Sequence, residues 1–166
     1  MDLSLTLRGQ TFPNPVGVAS GTFGYGSEYE SLMPLAEIGC LYTKAVTRDM
    51  RPGNDIPRIV ETPSGLINSI GLANGGVEHF ITHKMPYLQT LPCPVVANLA
   101  GSFEEDYCET LEMLEQAQDK LGVSVLSGYE VNISCPNVKC GGVDLGTDPG
   151  QVPRLTEMLR SRTSRA

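Results

Sequence analysis

The chain has 166 residues, with 12 Lys and Arg against 19 Asp and Glu, a net charge of −7. Its 40% hydrophobic and 19% charged residues exclude general disorder. The acidic balance excludes the basic surplus expected of a nucleic-acid binder or of a protein lying on anionic lipid. Ser4–Leu7 and Thr11–Phe12 read as a hairpin turning at Arg8-Gly9, not as the charged start and long apolar stretch of a signal peptide. No apolar run approaches the roughly eighteen residues that span a bilayer.

The first buried strand is predicted at Val16–Ala19, running into Ser20-Gly21. Ser27-x-x-Glu30 then has capping-box spacing and predicts a helix to about Glu37, stopped by Gly39. Cys40–Val46 is the second strand and carries Lys44; a loop rich in Pro and Gly over 47–75 leads to a helix near Val77–Leu88. Pro94–Ala97 is the third strand, ending at Asn98. Ser102-x-x-Glu105 repeats the capping box, and Phe103, Tyr107, Leu111, Leu114 and Leu121 follow on one helical face as far as Gly122. Gly128–Ile133 is the fourth strand with Asn132 near its end, and Asp148-Pro149 opens a last helix running to the end of the chain.

Strands alternating with helices predict an α/β fold with a parallel sheet. Such sheets gather their chemistry at the carboxyl ends of the strands. Ser20, Lys44, Asn98 and Asn132 hold that position on four successive strands. The pattern predicts a single domain over 1–166, a partial (β/α)₈ barrel of about four βα units behind an N-terminal β-hairpin. A closed barrel needs roughly 250 residues. The competing architecture is a doubly wound sheet, but Ser20–Gly26 lacks the GxGxxG spacing that seats a pyrophosphate.

Asn132-Ile133-Ser134-Cys135-Pro136-Asn137 is the strongest local motif. A residue before proline avoids the helical region, so Cys135 is displayed on a loop between two amides. Asparagine donates and accepts, which suits a heterocycle bearing carbonyls and N–H groups; a thiol can act as a base. A turn with an incidental cysteine is the alternative. Asn68-Ser69-Ile70-Gly71-Leu72 lies between Gly65 and Gly75, and its backbone N–H groups could meet a carboxylate, or it is an ordinary loop. Lys44, at the end of an apolar strand, meets either an acidic side chain or a negative ligand.

His79-x-x-x-His83 has metal-ligand spacing but no evident third ligand, and Cys135-x₄-Cys140 lacks a second pair; no metal is expected. The five cysteines are odd in number, which favours free thiols in a reducing compartment, and Cys40, Cys93 and Cys108 read as packing residues. The expected location is the cytoplasm.

Taken together, Ala19-Ser20-Gly21, Thr43-Lys44-Ala45, Asn68–Leu72, Ala97-Asn98 and Asn132–Asn137 resemble the signature of dihydroorotate dehydrogenase, in that family's order and spacing. The cysteine resembles the soluble class 1 enzymes. Pro136–Gly142 followed by Gly146–Pro149 resembles class 1B, which passes electrons to NAD through a partner subunit holding FAD and a 2Fe–2S cluster. The resemblance implies an FMN-binding (β/α)₈ barrel that oxidises (S)-dihydroorotate to orotate in pyrimidine synthesis. It implies Cys135 as the base taking the C5 proton, with hydride leaving for FMN. It implies Lys44, Asn68, Ser69, Ile70, Gly71, Leu72, Asn132 and Asn137 as substrate contacts. Flavin contacts would be Ser20, Gly21, Lys44, Ala45, Asn98 and Asn132. A homodimer within a heterotetramer is implied for the full-length enzyme, with no nucleic acid and no membrane.

The resemblance covers about the first half of the family's chain. The expectation is therefore the N-terminal portion of a class 1B catalytic subunit, binding FMN weakly or not at all and turning over poorly by itself. Two other readings stay open: a dihydropyrimidine dehydrogenase-like FMN domain, and a non-catalytic half barrel that self-associates through its exposed edges.

Overall fold

The computed structural model describes residues 1–133, 146 and 148–166. Cys135, Asn137 and Cys140 lie outside the described residues.

Leu5–Leu7 (β1) and Gln10–Phe12 (β2) form the predicted antiparallel hairpin. Arg8 and Gly9 both take positive φ, 49° and 81°, the backbone of a tight hairpin turn whose twist matches the strands. Four parallel strands follow: Gly17–Val18 (β3), Cys40–Tyr42 (β4), Val95–Leu99 (β7) and Gly128–Val131 (β8), adjacent in the order β3-β4-β7-β8. Between β4 and β7 lies a second hairpin, Ile59–Thr62 (β5) with Gly65–Asn68 (β6).

All five residues of β7 are buried, because both faces of the sheet are covered. Successive side chains alternate between those faces. Leu41, Val95, Ala97 and Leu99 pack into the main core with Tyr107, Leu111 and Leu114 of the long helix. On the other face Cys40 and Val96 meet Phe12 of β2, with Leu5 and Tyr42 beside them. The N-terminal hairpin thus plugs the sheet's inner face near the strands' amino ends. Burial pushes the Cys40 thiol up to about 12, helped by Cys93 and Glu130 and opposed by a backbone hydrogen bond, so it sits there as a small apolar group.

Several element boundaries differ from the sequence reading. No helix forms from Ser27: the chain turns repeatedly over 20–33 and makes only a short 3₁₀ turn, Leu35–Glu37. Gly24 and Gly26 take φ of 58° and 102°, and Pro34 precedes the 3₁₀ turn. Ser27 donates its hydroxyl to Glu28, not into a helix cap, while Glu30 accepts from Tyr87 at 2.6 Å. The second strand stops at Tyr42 instead of Val46; Val46 rejoins the sheet as a single parallel bridge to Leu99. The supposed loop 47–75 contains the β5–β6 hairpin, every residue of which is exposed.

The helix predicted at Val77–Leu88 is Gly76–His79 (α1), a π turn Phe80–Lys84, and Met85–Leu88 (α2). Pro86 has no N–H for the preceding turn, and the ladder widens there. Glu104–Leu121 (α3) begins later than its predicted box. Asp106, not Glu105, accepts from the Ser102 and Phe103 N–H groups at 2.7 and 3.0 Å, and Phe103 and Leu121 are exposed instead of sharing the buried face. Asn132 sits just past the end of β8, which stops at Val131. The last helix, Gln151–Arg160 (α4), does not reach the chain's end: residues 161–166 turn back until the Ala166 carbonyl accepts the Tyr129 N–H at 2.9 Å.

Gly39 makes the tightest backbone approach. It donates to Val16 at 2.8 Å, and a Cβ added there would fall on the Asn14 carbonyl. Gly39→Ala is expected to destabilise the fold by about 1–3 kcal/mol, the usual range for overpacking, read as a lowered midpoint in chemical denaturation. An unchanged midpoint would show that this approach is not tight.

Candidate functional site

Parallel strands end together, so whatever follows each carboxyl end shares one rim. Here the rim encloses a cleft of about 390 Å³ lined by Ser20, Gly21, Thr22, Lys44, Ala45, Asn68, Ile70, Leu72, Asn98 and Asn132. The structure thereby brings together nine of the residues singled out in the sequence; Thr22 is an addition. Ser69 and Gly71 are not on the cleft wall. Ser69 accepts the Asn54 amide at 2.8 Å, and Gly71, at φ 74°, lies so close over Asn54 that a Cβ would collide with it. Asn54 also donates its backbone N–H to Ile70 at 3.1 Å. It is the post on which the 68–72 segment is bent. A loop asparagine fourteen residues upstream of Asn68 carries no pattern that would have revealed it.

Asn98 is the most enclosed polar group of the cleft, 2% exposed. Its backbone N–H donates to the Thr43 hydroxyl at 3.2 Å, and its carbonyl accepts from Val46 at 2.8 Å. Its side-chain amide donates to a carboxylate oxygen of Glu130, to which Ser20 also donates at 2.7 Å. The Asn98 Oδ1 has no hydrogen-bond partner. Glu130 escaped the sequence reading, yet it lies two residues before Asn132, and a period of two places both on one side of the strand. Burial, with the charges of Cys40 and Glu130, holds the nearby Tyr42 phenol above its ordinary range.

Asn132 is fixed through its backbone, donating to the Leu99 carbonyl at 2.8 Å and accepting from the Tyr107 phenol at 2.7 Å. Lys44 follows the end of β4, its N–H bonded to the Gly24 carbonyl at 3.2 Å. Among the described residues its ammonium makes no ion pair. The Ile70, Gly71 and Leu72 N–H groups likewise donate to no acceptor among the described residues. A cation, N–H groups left without acceptors, and amide and hydroxyl oxygens around one cleft can hold a planar heterocycle that carries a carboxylate.

A second cleft of about 370 Å³ lies on the helical side, between Ile81, Pro86 and Gln89 and the Met113–Leu121 stretch of α3. It contains none of the strand-end residues. His79 and His83 stack at 4.4 Å on an exposed helix face, His83 turned toward Thr82. Among the described residues no three His, Cys, Asp or Glu side chains gather as metal ligands. None of the described helices is long and apolar enough to cross a membrane.

The chain matches the family Dihydroorotate dehydrogenase over residues 2–165. It is 44% identical over 164 residues to the "Dihydroorotate dehydrogenase B (NAD(+)), catalytic subunit" of Geotalea daltonii, covering 99% of this chain and 52% of that protein. It is 41% identical over 162 residues to the protein of the same name from Listeria innocua, covering 98% of this chain and 51% of that protein. The chain therefore spans about half the length of the curated relatives it matches. Among solved structures, dihydroorotate dehydrogenase from Eimeria tenella in complex with ferulenol superposes with a TM-score of 0.69 at 20% identity, over 97% of this chain and 44% of that one; at that identity the likeness concerns the fold. With the family match running along almost the entire chain and four strand ends meeting in one polar cleft, the chain belongs to the dihydroorotate dehydrogenase family.

Proposed function

We propose that this chain supplies the first four βα units of a (β/α)₈ barrel, and that its cleft takes FMN and dihydroorotate for oxidation to orotate. The observation that carries the reading is the meeting of Ser20, Lys44, Asn98 and Asn132 from four parallel strands whose spatial order follows chain order. A doubly wound sheet would reverse that order at a switch point; here the order runs one way.

The residues fit a flavin. Asn98 keeps a buried oxygen without a partner, which a ring N–H would satisfy. Lys44 offers a positive charge, and the Ile70 and Leu72 N–H groups suit the substrate carboxylate, with Asn68 and Asn132 also lining the cleft. When bound, FMN supplies the hydride acceptor. The protein's part is to hold the substrate ring flat in the cleft and to bring Cys135 to the carbon that loses a proton. Electrons would then pass to NAD through a partner subunit, in this reading an iron–sulfur flavoprotein carrying FAD and a 2Fe–2S cluster, with both subunits in the cytoplasm.

The test is isotope-edited NMR of the 166-residue chain with millimolar FMN, then with orotate or uracil. FMN is expected to shift the backbone signals of Ser20, Lys44, Asn98 and Asn132 with weak, fast-exchange binding. Orotate should shift those of Ile70–Leu72, and uracil, which lacks the carboxylate, should not. Silence at the strand ends overturns the flavin site. An equal response to uracil favours a dihydropyrimidine dehydrogenase-like pocket.

A further inference from the structure

Glu130 and Asn98 are direct register partners on the parallel strands β8 and β7, so their side chains leave the sheet on the same face. Among the described residues no Lys, Arg or His pairs with the Glu130 carboxylate. Its neighbours are neutral donors, the Ser20 hydroxyl at 2.7 Å and the Asn98 amide. An ionised carboxylate only accepts hydrogen bonds. Whatever faces it must therefore turn a hydrogen toward it. Asn98 has no choice of orientation: its NH₂ points at Glu130 and its Oδ1 points away, unpartnered. Ser20 is bound in the same sense, its hydrogen on Glu130 and one of its two lone pairs accepting from the Asn98 amide. The Ser20 oxygen also lies 3.4 Å from the Asn98 nitrogen, so the three groups form one directional unit.

We infer that Glu130 is a positioning residue that fixes the hydrogen-bond polarity of the cleft floor, making Asn98 and Ser20 present acceptors only. A floor of this polarity selects the donor edge of a heterocycle. Resting on the flavin reading above, it selects the one ring N–H of an oxidised isoalloxazine, at N3, over a ring alkylated there. Glutamine at 130 would have nearly the same shape but could donate as well as accept. The Asn98 amide could then flip, and the floor would lose its fixed sense.

The Asn98 side-chain NH₂ signals read this directly, without any ligand. In the parent chain one pair is expected, slow to exchange with solvent. In Glu130→Gln that pair should broaden, double or exchange faster, while the backbone spectrum stays folded. One unshifted, equally protected pair in that variant overturns the inference. If Glu130→Gln fails to fold, Glu130→Asp is read instead. Its carboxylate is drawn back from Asn98, so unchanged Asn98 signals overturn the inference there too.

The ligand arm compares FMN with its N3-methyl analogue by the same NMR titration. The parent is expected to prefer the N3–H form by about tenfold, the worth of one hydrogen bond left unmade, and Glu130→Gln to narrow that preference to about threefold or less. A preference of the same size in both proteins contradicts the inferred selection. If neither flavin moves any cleft signal, the flavin reading falls, and the amide signals alone decide the role of Glu130.

Discussion

Asn98→Asp is expected to destabilise the fold by about 3–5 kcal/mol at neutral pH, the range for a charge left buried without compensation. The substituted carboxylate would take the place of an amide that is 2% exposed and donates to Glu130. Two acceptors would then face each other at hydrogen-bond distance, and the pair would relax by sharing one proton. The pH dependence follows. Folding raises the proton affinity of the pair above that of an unfolded Asp or Glu, near 4. The stability this proton brings is present in full below the unfolded value and is lost as pH rises through the raised folded value. Chemical denaturation should show the variant approaching the parent near pH 4–5 and falling away toward pH 8. Asn98→Ala, which removes the donor without adding a charge, should cost less and show no such trend. A pH-independent Asn98→Asp penalty would mean that Glu130 is not the neighbour that matters.

Tyr107→Ala is expected to cost a similar amount, about 3–5 kcal/mol, the range for removing a large buried aromatic. Tyr107 is 2% exposed, packs α3 against the sheet, and donates its phenol to the Asn132 carbonyl at 2.7 Å and to that of Gly101 at 3.3 Å. Tyr107→Phe separates the two contributions: the ring stays and one set of hydrogen bonds goes, for about 1 kcal/mol. The larger loss should appear as a lowered denaturation midpoint. The smaller variant should keep most of the stability while the Asn132 signals move. If Tyr107→Phe leaves Asn132 unmoved, the phenol does not position that side of the cleft.

The parts of the fold that were legible in the sequence share one physical trait: they are specified locally. Buried parallel strands are short apolar runs, and Val95–Leu99 reads as one because both of its faces are covered. The polar residue at each strand end was legible for the same reason, since Ser20, Lys44, Asn98 and Asn132 interrupt apolar runs. Where the reading failed, distant groups decided. Ser27-x-x-Glu30 has cap spacing, but Glu28 accepts the Tyr25 N–H at 3.1 Å and Glu30 turns to Tyr87. The β5–β6 hairpin buries nothing, so no apolar alternation marked it. Glu130 hid inside a correctly placed strand, where a charge was not expected among buried neighbours. Asn54 has its role only because the chain folds back onto it.

The order β3-β4-β7-β8 sets each parallel strand beside the one made just before it. Among the described residues no strand of this sheet waits for a later neighbour to slot between two older ones, so the layer can grow by accretion as the polypeptide leaves the ribosome. The growing edge at any moment is the newest strand. Synthesis and assembly can thus proceed in the same direction, with the cleft rim built one residue at a time from Ser20 to Asn132.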